Sequence, residues 1–116
     1  GNMTKRGGRK GTSKLPGVES EPDISLTDWS IIRISAAGQH WDVMLGWCVQ
    51  NICGRVSTPI EQYFAANRVA VTRSGRSYSL VGLPGRNPEA IHIYAKMFGH
   101  IPHERADVTQ EYLDKT

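Results

Sequence analysis

The sequence has little cysteine, no lysine between Lys14 and Lys96, and no long apolar run. Cys48 and Cys53 are the only two cysteines in 116 residues. That is too few for a disulfide-held scaffold, so free thiols in a reducing compartment are expected, with one short-loop disulfide as the other arrangement. No apolar stretch nears the ~20 residues that span a bilayer, and the start of the chain lacks the pattern of a secretory leader. A cytoplasmic protein away from membranes is the expectation. Also missing are the G-x-S-x-G elbow, the H-E-x-x-H zinc motif and the dinucleotide fingerprint. The run "GGRKGTSK" lacks P-loop spacing, and no strand precedes it. These absences lead to the expectation of a protein that is neither an enzyme nor a cofactor carrier.

What charge there is lies unevenly. The net charge is +3. Residues 1–14 hold Lys5, Arg6, Arg9, Lys10 and Lys14 without an acid, and residues 15–28 hold Glu19, Glu21, Asp23 and Asp28 without a base. From 29 to 86 every base is an arginine (Arg33, Arg55, Arg68, Arg73, Arg76, Arg86), set against Asp42 and Glu61 alone. Arginine brings a planar fork that matches carboxylate and phosphate and stacks on aromatic rings. Residues 1–22 are rich in glycine, serine, proline and charge, and such a segment cannot bury enough apolar surface to offset its ordering entropy. A disordered basic tail is expected there, followed by one small domain over 23–116.

From Trp29 onward the apolar pattern takes period two. In "HWDVMLGWCV", Trp41, Val43, Leu45, Trp47 and Val49 alternate with His40, Asp42, Met44, Gly46 and Cys48, the mark of a half-buried strand. "DWSIIRIS" before it is rich in β-formers, and Ala36-Ala37-Gly38 supplies the turn between them. "RVSTPIEQYF" follows as a strand with Val56, Thr58, Ile60 and Phe64 on one face, at an edge or bent where Pro59 cannot donate to a ladder. In "TRSGRSY" a two-residue loop at Ser74-Gly75 sets Arg73 opposite Arg76, Val71 opposite Tyr78 and Val69 opposite Leu80.

"NPEAIHIYAKMFG" reads as a helix over 88–98, with Asn87 as N-cap, Pro88 in the first turn and Gly99 past the end. Ile91, Tyr94, Ala95 and Phe98 form one apolar stripe; Ile93 and Met97 form a second, available to a partner or a second subunit. Residues 107–114 read as a short acidic helix. The expected fold is mainly β: about five antiparallel strands in a small bent sheet or partly open SH3-like or OB-like barrel, then a C-terminal helix.

Candidate chemistry is sparse. His40, Asp42 and Cys48 share a strand face, yet eight residues of strand span roughly 26 Å, far beyond the ~3 Å a nucleophile and its base require. His40 and Asp42 are instead expected as an exposed pair on the outer sheet face. Cys48 and Cys53 with His100 and His103 lack the spacing of a zinc knuckle, so no metal is expected. The arginines remain. Two guanidinium groups opposite each other repel, and an anion between Arg73 and Arg76 would relieve them. With Arg68, Arg55, Lys5, Arg6, Arg9 and Lys10 they form an expected anion or nucleic-acid surface, with Tyr63 and Trp29 as stacking platforms.

The runs "GRVSTPI" and "VTRSGRSYSLVGLPG", residues 54–60 and 71–85, resemble a pattern in small uncharacterised proteins of proteobacteria and their mobile elements. That resemblance implies a recurring β unit and a regulatory or host-interaction role, and it carries no functional residues. Two functions follow as expectations. The first is a non-enzymatic binding module engaging an anionic partner, nucleic acid foremost. The other is a protein-interaction or regulatory protein, or a homodimer, using Ile93 and Met97.

Overall fold

A single irregularity in one strand sets the architecture. The computed structural model describes residues 23–115; the expected tail over 1–22, with Lys5, Arg6, Arg9 and Lys10, lies outside them. Strand β1 (Asp23–Ala36) pairs antiparallel with β2 (Gln39–Cys48). Their register shifts between Thr27 and Ser30, so that Asp28 and Trp29 together oppose Gly46. This is a β-bulge, with Asp28 at φ 51°. One extra residue reverses side-chain parity. Ile24 and Leu26 before the bulge therefore share a core with Trp29 and Ile31 after it, while Ile32 and Ile34 turn to the opposite core. A Cβ on Gly46 would stand 3.0 Å from the Thr27 carbonyl oxygen and 3.2 Å from Trp29 Cα, so the bulge needs glycine across from it.

The remaining elements are β3 (Cys53–Val56), β4 (Ile60–Phe64), β5 (Val69–Thr72), β6 (Ser77–Leu80), α1 (Pro88–Phe98), β7 (Glu104–Asp107) and α2 (Thr109–Leu113). The sheet order is β3-β2-β1-β6-β5-β4, with β7 beside β1. Strand β6 runs parallel to Asp23–Leu26, and β7 runs antiparallel to Ile32–Ser35 on the same side of β1. The sheet is thus open, mixed and seven-stranded, where about five antiparallel strands were expected. Two causes account for the difference. The stretch read as one strand across Pro59 is two, because the Ser57 N–H and Oγ both bond Met44 in β2 and the chain then turns. Proline cannot carry the ladder onward, and Phe64 ends up exposed on a separate strand. Strand β7, "ERAD", has no apolar alternation to announce it, and all four residues are exposed.

The β5–β6 hairpin stands one residue away from the expected register. Ala70 opposes Tyr78 and Val69 opposes Ser79. Its loop is Arg73-Ser74-Gly75, closed by the Thr72 N–H to the Arg76 carbonyl and the Gly75 N–H to the Thr72 carbonyl, with Gly75 at φ 90°. Tyr78 and Leu80 fill the inner face from β6, and the small Ala70 and Thr72 fit beside them. The sheet curls around this core, because Arg55 on β3 donates to the Tyr78 hydroxyl on β6 at 3.1 Å across two intervening strands.

Helix α1 has the boundaries that the sequence predicts. The Asn87 side chain accepts from the Ala90 N–H at 3.0 Å, and Gly99 follows the last turn. It covers β2 and β3 and buries Ala90 and Tyr94, with Phe98 packed beside them; Ala95 and Ile91 are exposed. Its first turn sits directly on Gly54, where a Cβ would lie 2.6 Å from the Ala90 nitrogen. No helix among the described residues is long and apolar enough to cross a membrane. Gly54→Ala must push α1 off the sheet. It should cost about 1–3 kcal/mol, the usual penalty of overpacking, read as a lower urea midpoint at unchanged slope.

Candidate interaction surface

The C-terminus is fastened to the sheet by a buried carboxylate. Asp42 opposes Arg33 across β1 and β2, which places both on one face. Arg33 donates to both Asp42 oxygens, at 2.8 and 3.0 Å, and Tyr112 of α2 donates its hydroxyl to Oδ2. Glu111 stands 3.3 Å from Arg33. Burial would push the Asp42 carboxyl up, but the hydrogen bonds from Arg33 and Tyr112 outweigh it and hold it below its ordinary value of 3.8. The Tyr112 hydroxyl moves the other way, well above its usual range, through burial first and the Asp42 carboxylate second. It therefore stays a donor. The expectation of an exposed His40/Asp42 pair is corrected: His40 is exposed, and Asp42 lies inside. The signal was a residue nine positions earlier, since Arg33 faces Asp42 once the β1–β2 turn is placed.

On the opposite face of β1 a groove stays open. Helix α1 covers β2 and β3 but stops short of β7, leaving a cavity of about 270 Å³ between them. Ile32 and Leu45 form its floor, Ile91 and Tyr94 its helical wall, and Arg105 and Asp107 of β7 its far wall. Arg86 enters from the loop before α1 and meets Asp107 at 3.6 Å. The Arg105 guanidinium lies 5.8 Å from the Tyr94 ring centre. His103 fixes that tyrosine. Its Nδ1 donates to the Ile101 carbonyl, which can only accept, so in the neutral ring Nε2 accepts the Tyr94 hydroxyl proton at 2.8 Å. The groove thus combines an apolar floor with a charged rim.

The arginines expected to act together are held in different places. Arg73 does not oppose Arg76; it lies in the loop, its N–H bonds the Pro59 carbonyl, and its guanidinium meets Glu61 at 3.4 Å. Ser74 beside it is hydrogen-bonded to Thr58 and Thr72, so the tip is anchored to the β3–β4 corner. Arg68 sits at the other end of β5, in a left-handed conformation at φ 54°, and donates to the Gly82 carbonyl. Arg55 points inward to Tyr78. Trp29 is fully buried and donates to the Gly82 carbonyl, and Tyr63 packs edge-on against Tyr112. Neither ring offers a stacking surface of the kind expected. On α1, Met97 is exposed and Ile93 half-buried, while Ile91 rather than Ile93 lines the groove. Cys48 and Cys53 are free thiols directly opposite each other across β2 and β3. Among the described residues no group of three or more His, Cys, Asp or Glu side chains could hold a metal ion.

No family model, no curated protein and no solved structure matches this chain.

Two predictions test the C-terminal fastening. Because Asp42 has a depressed folded value, its contribution is present above about pH 4 and is lost as the pH falls through that folded value. Asp42→Asn should cost about 2–3 kcal/mol at pH 7, less than the roughly 3–5 of a fully buried pair because Arg33 is partly exposed. The gap to the unsubstituted protein should close on acidification, followed by urea unfolding at stepped pH. Tyr63 and Tyr112 should behave oppositely. The Tyr63 hydroxyl is buried without a hydrogen-bond partner among the described residues, so Tyr63→Phe should be neutral or stabilise by up to about 1 kcal/mol, whereas Tyr112→Phe should cost about 1–2 kcal/mol. Thermal melts of the two variants compare them directly.

Proposed function

We propose that the protein is a non-enzymatic interaction module that takes an extended segment of a protein partner along the outer edge of β7. One observation carries this reading: an edge of β7 that no described residue pairs with lies beside a groove with an apolar floor and a charged rim. Strand addition draws on both, main-chain bonds for affinity and pockets for alternate side chains for selectivity. The directions of the β7 backbone follow from its ladder. The Val108 N–H bonds the Ile31 carbonyl, and alternation then turns Ala106 and Glu104 toward β1 and the N–H and C=O of Arg105 and Asp107 outward. The groove side chains Arg105 and Asp107 stand at those same positions.

Charge sets the weight between this reading and the nucleic-acid one. Residues 23–115 contain nine basic and nine acidic residues, so the folded body has no net charge and the excess lies in residues 1–22. Phosphate contacts supply most of nucleic-acid affinity. The second reading accordingly rests on Lys5, Arg6, Arg9 and Lys10, assisted by Arg73 and Arg76, and it predicts binding that fades steeply with salt. Nitrogen–proton NMR of the full chain separates the two. Titration with a short extended peptide of alternating valine and aspartate should shift Arg105, Ala106, Asp107, Ile32 and Ile91. Shifts confined to Arg73, Arg76 and residues 1–14 on adding a generic oligonucleotide, with none at β7 on adding peptide, would replace the strand-addition reading with the nucleic-acid one.

A further inference from the structure

We infer that the strand received by β7 is β7 of a second copy, joined about a two-fold axis through Ala106. The inference rests on the strand-addition reading and names its partner. The outward-facing backbone belongs to Arg105 and Asp107, so a second strand must place its own outward pair against these two. For two copies of "ERAD" running antiparallel, three registers meet that requirement. Arg105 opposite Arg105 and Asp107 opposite Asp107 each set like charges face to face, which destabilises a ladder. The third centres on Ala106. It sets Arg105 opposite Asp107 of the other copy, and Asp107 opposite Arg105, forming two ion pairs and four main-chain hydrogen bonds at once. One short strand is thus self-complementary in one register only.

Its surroundings fit this arrangement. All four β7 residues are exposed, and the strand pairs with β1 alone among the described residues. Arg105 and Asp107 share the α1 face with Ile32 and Ile34, so each intermolecular ion pair lies over the sheet at the mouth of the groove. The Asp107 Oδ1 accepts from the Thr109 N–H at 2.9 Å, while Oδ2 meets the exposed Arg86 at 3.6 Å, its one ion pair among the described residues. An oxygen held this loosely can accept a guanidinium from across the axis. An isologous interface of this kind closes on itself and stops at two.

The test uses the full chain in sedimentation equilibrium over a range of concentrations. The unsubstituted protein should show a weak monomer–dimer equilibrium. Arg105→Asp should raise its dissociation constant at least ~10-fold, and adding Asp107→Arg should restore it to within ~3-fold, since the swap returns opposite charges to facing positions. Because Asp107→Arg also removes the bond to Thr109, a second measurement reads the register without it. In the Ala106-centred register the two Ala106 Cα atoms stand about 4.5 Å apart, within disulfide range. Ala106→Cys should therefore crosslink to a covalent dimer with oxidised glutathione, while Glu104→Cys, set opposite Val108, should not rise above the background from Cys48 and Cys53. Equal crosslinking of the two variants, or a dimer indifferent to Arg105→Asp, overturns the proposal. A chain that stays monomeric up to ~1 mM while β7 still takes the valine–aspartate peptide overturns the second copy alone. A chain with neither property overturns strand addition as well.

Discussion

Everything in this molecule depends on the extra residue in β1. A strand presents alternate side chains to alternate faces, so without the bulge Ile24 and Leu26 would lie on the same face as Ile32 and Ile34. The bulge at Asp28 and Trp29 breaks that alternation midway. It lets one strand line the inner core with both halves and still offer Ile32 and Ile34 to the helix side. Two cores on two faces of one pair of strands are the outcome. The fully buried Trp29 sits at the point of reversal, its indole N–H satisfied by the Gly82 carbonyl, and the Gly85 N–H bonds the Trp29 carbonyl. Gly46 across the ladder provides the space. A side chain there would contest the bulge itself and, through it, the assignment of every later residue in β1.

The bulge also divides the far side of β1 between two partners. Its first half takes β6 in parallel, and its second half takes β7. A chain returning from α1 can reach β1 only beyond the point where β6 leaves it. The C-terminus therefore enters as a short strand and turns at Val108 and Thr109, both bonded to Ile31. Helix α2 then crosses the open end of the inner core. A helix of five residues has almost no stability of its own. Its position comes from Tyr112, which packs against Tyr63 and donates to Asp42, and from Arg33 holding that carboxylate on its other side. The open edge of β7 and the groove above it follow from this route. Helix α1 is occupied with β2 and β3, and nothing among the described residues extends the sheet beyond β7.

Elements with strong local signals were legible in the sequence; those set by the neighbours of a strand were not. Helix α1 showed its start in Asn87-Pro88 and its end in Gly99, and both held. Strand β2 showed its alternation, yet alternation alone does not reveal that its polar face is also buried. Asp42, Met44 and Cys48 face the inner core, and their partners come from residues distant in sequence. The β5–β6 pairing looked self-consistent when valine met tyrosine and leucine, because matching apolar with apolar ignores volume. The inner core instead receives Ala70 and Thr72 beside the larger Tyr78 and Leu80. Strand β7 carried no apolar signal, and the groove beside it depends on where α1 stops.

The arginines, read together, change meaning once the fold is known. Their exclusive use between residues 29 and 86 suggested a surface for phosphate. In the structure most of them tie together elements far apart in the chain. Arg33 joins β1 to β2 and to α2, Arg55 joins β3 to β6, Arg68 joins the β4–β5 turn to Gly82, and Arg86 reaches β7. A domain built largely of strands four or five residues long has few contacts per element, and a planar fork with several fixed donors fastens two elements at once where an ammonium on a flexible stem does not. Arginine here is mainly structural. Arg105 differs in its setting: it stands on a strand with one side open among the described residues, two residues from an aspartate that faces the same way. On a closed strand that spacing would be a detail of surface charge; on an open one it is the pattern that two antiparallel copies can satisfy together.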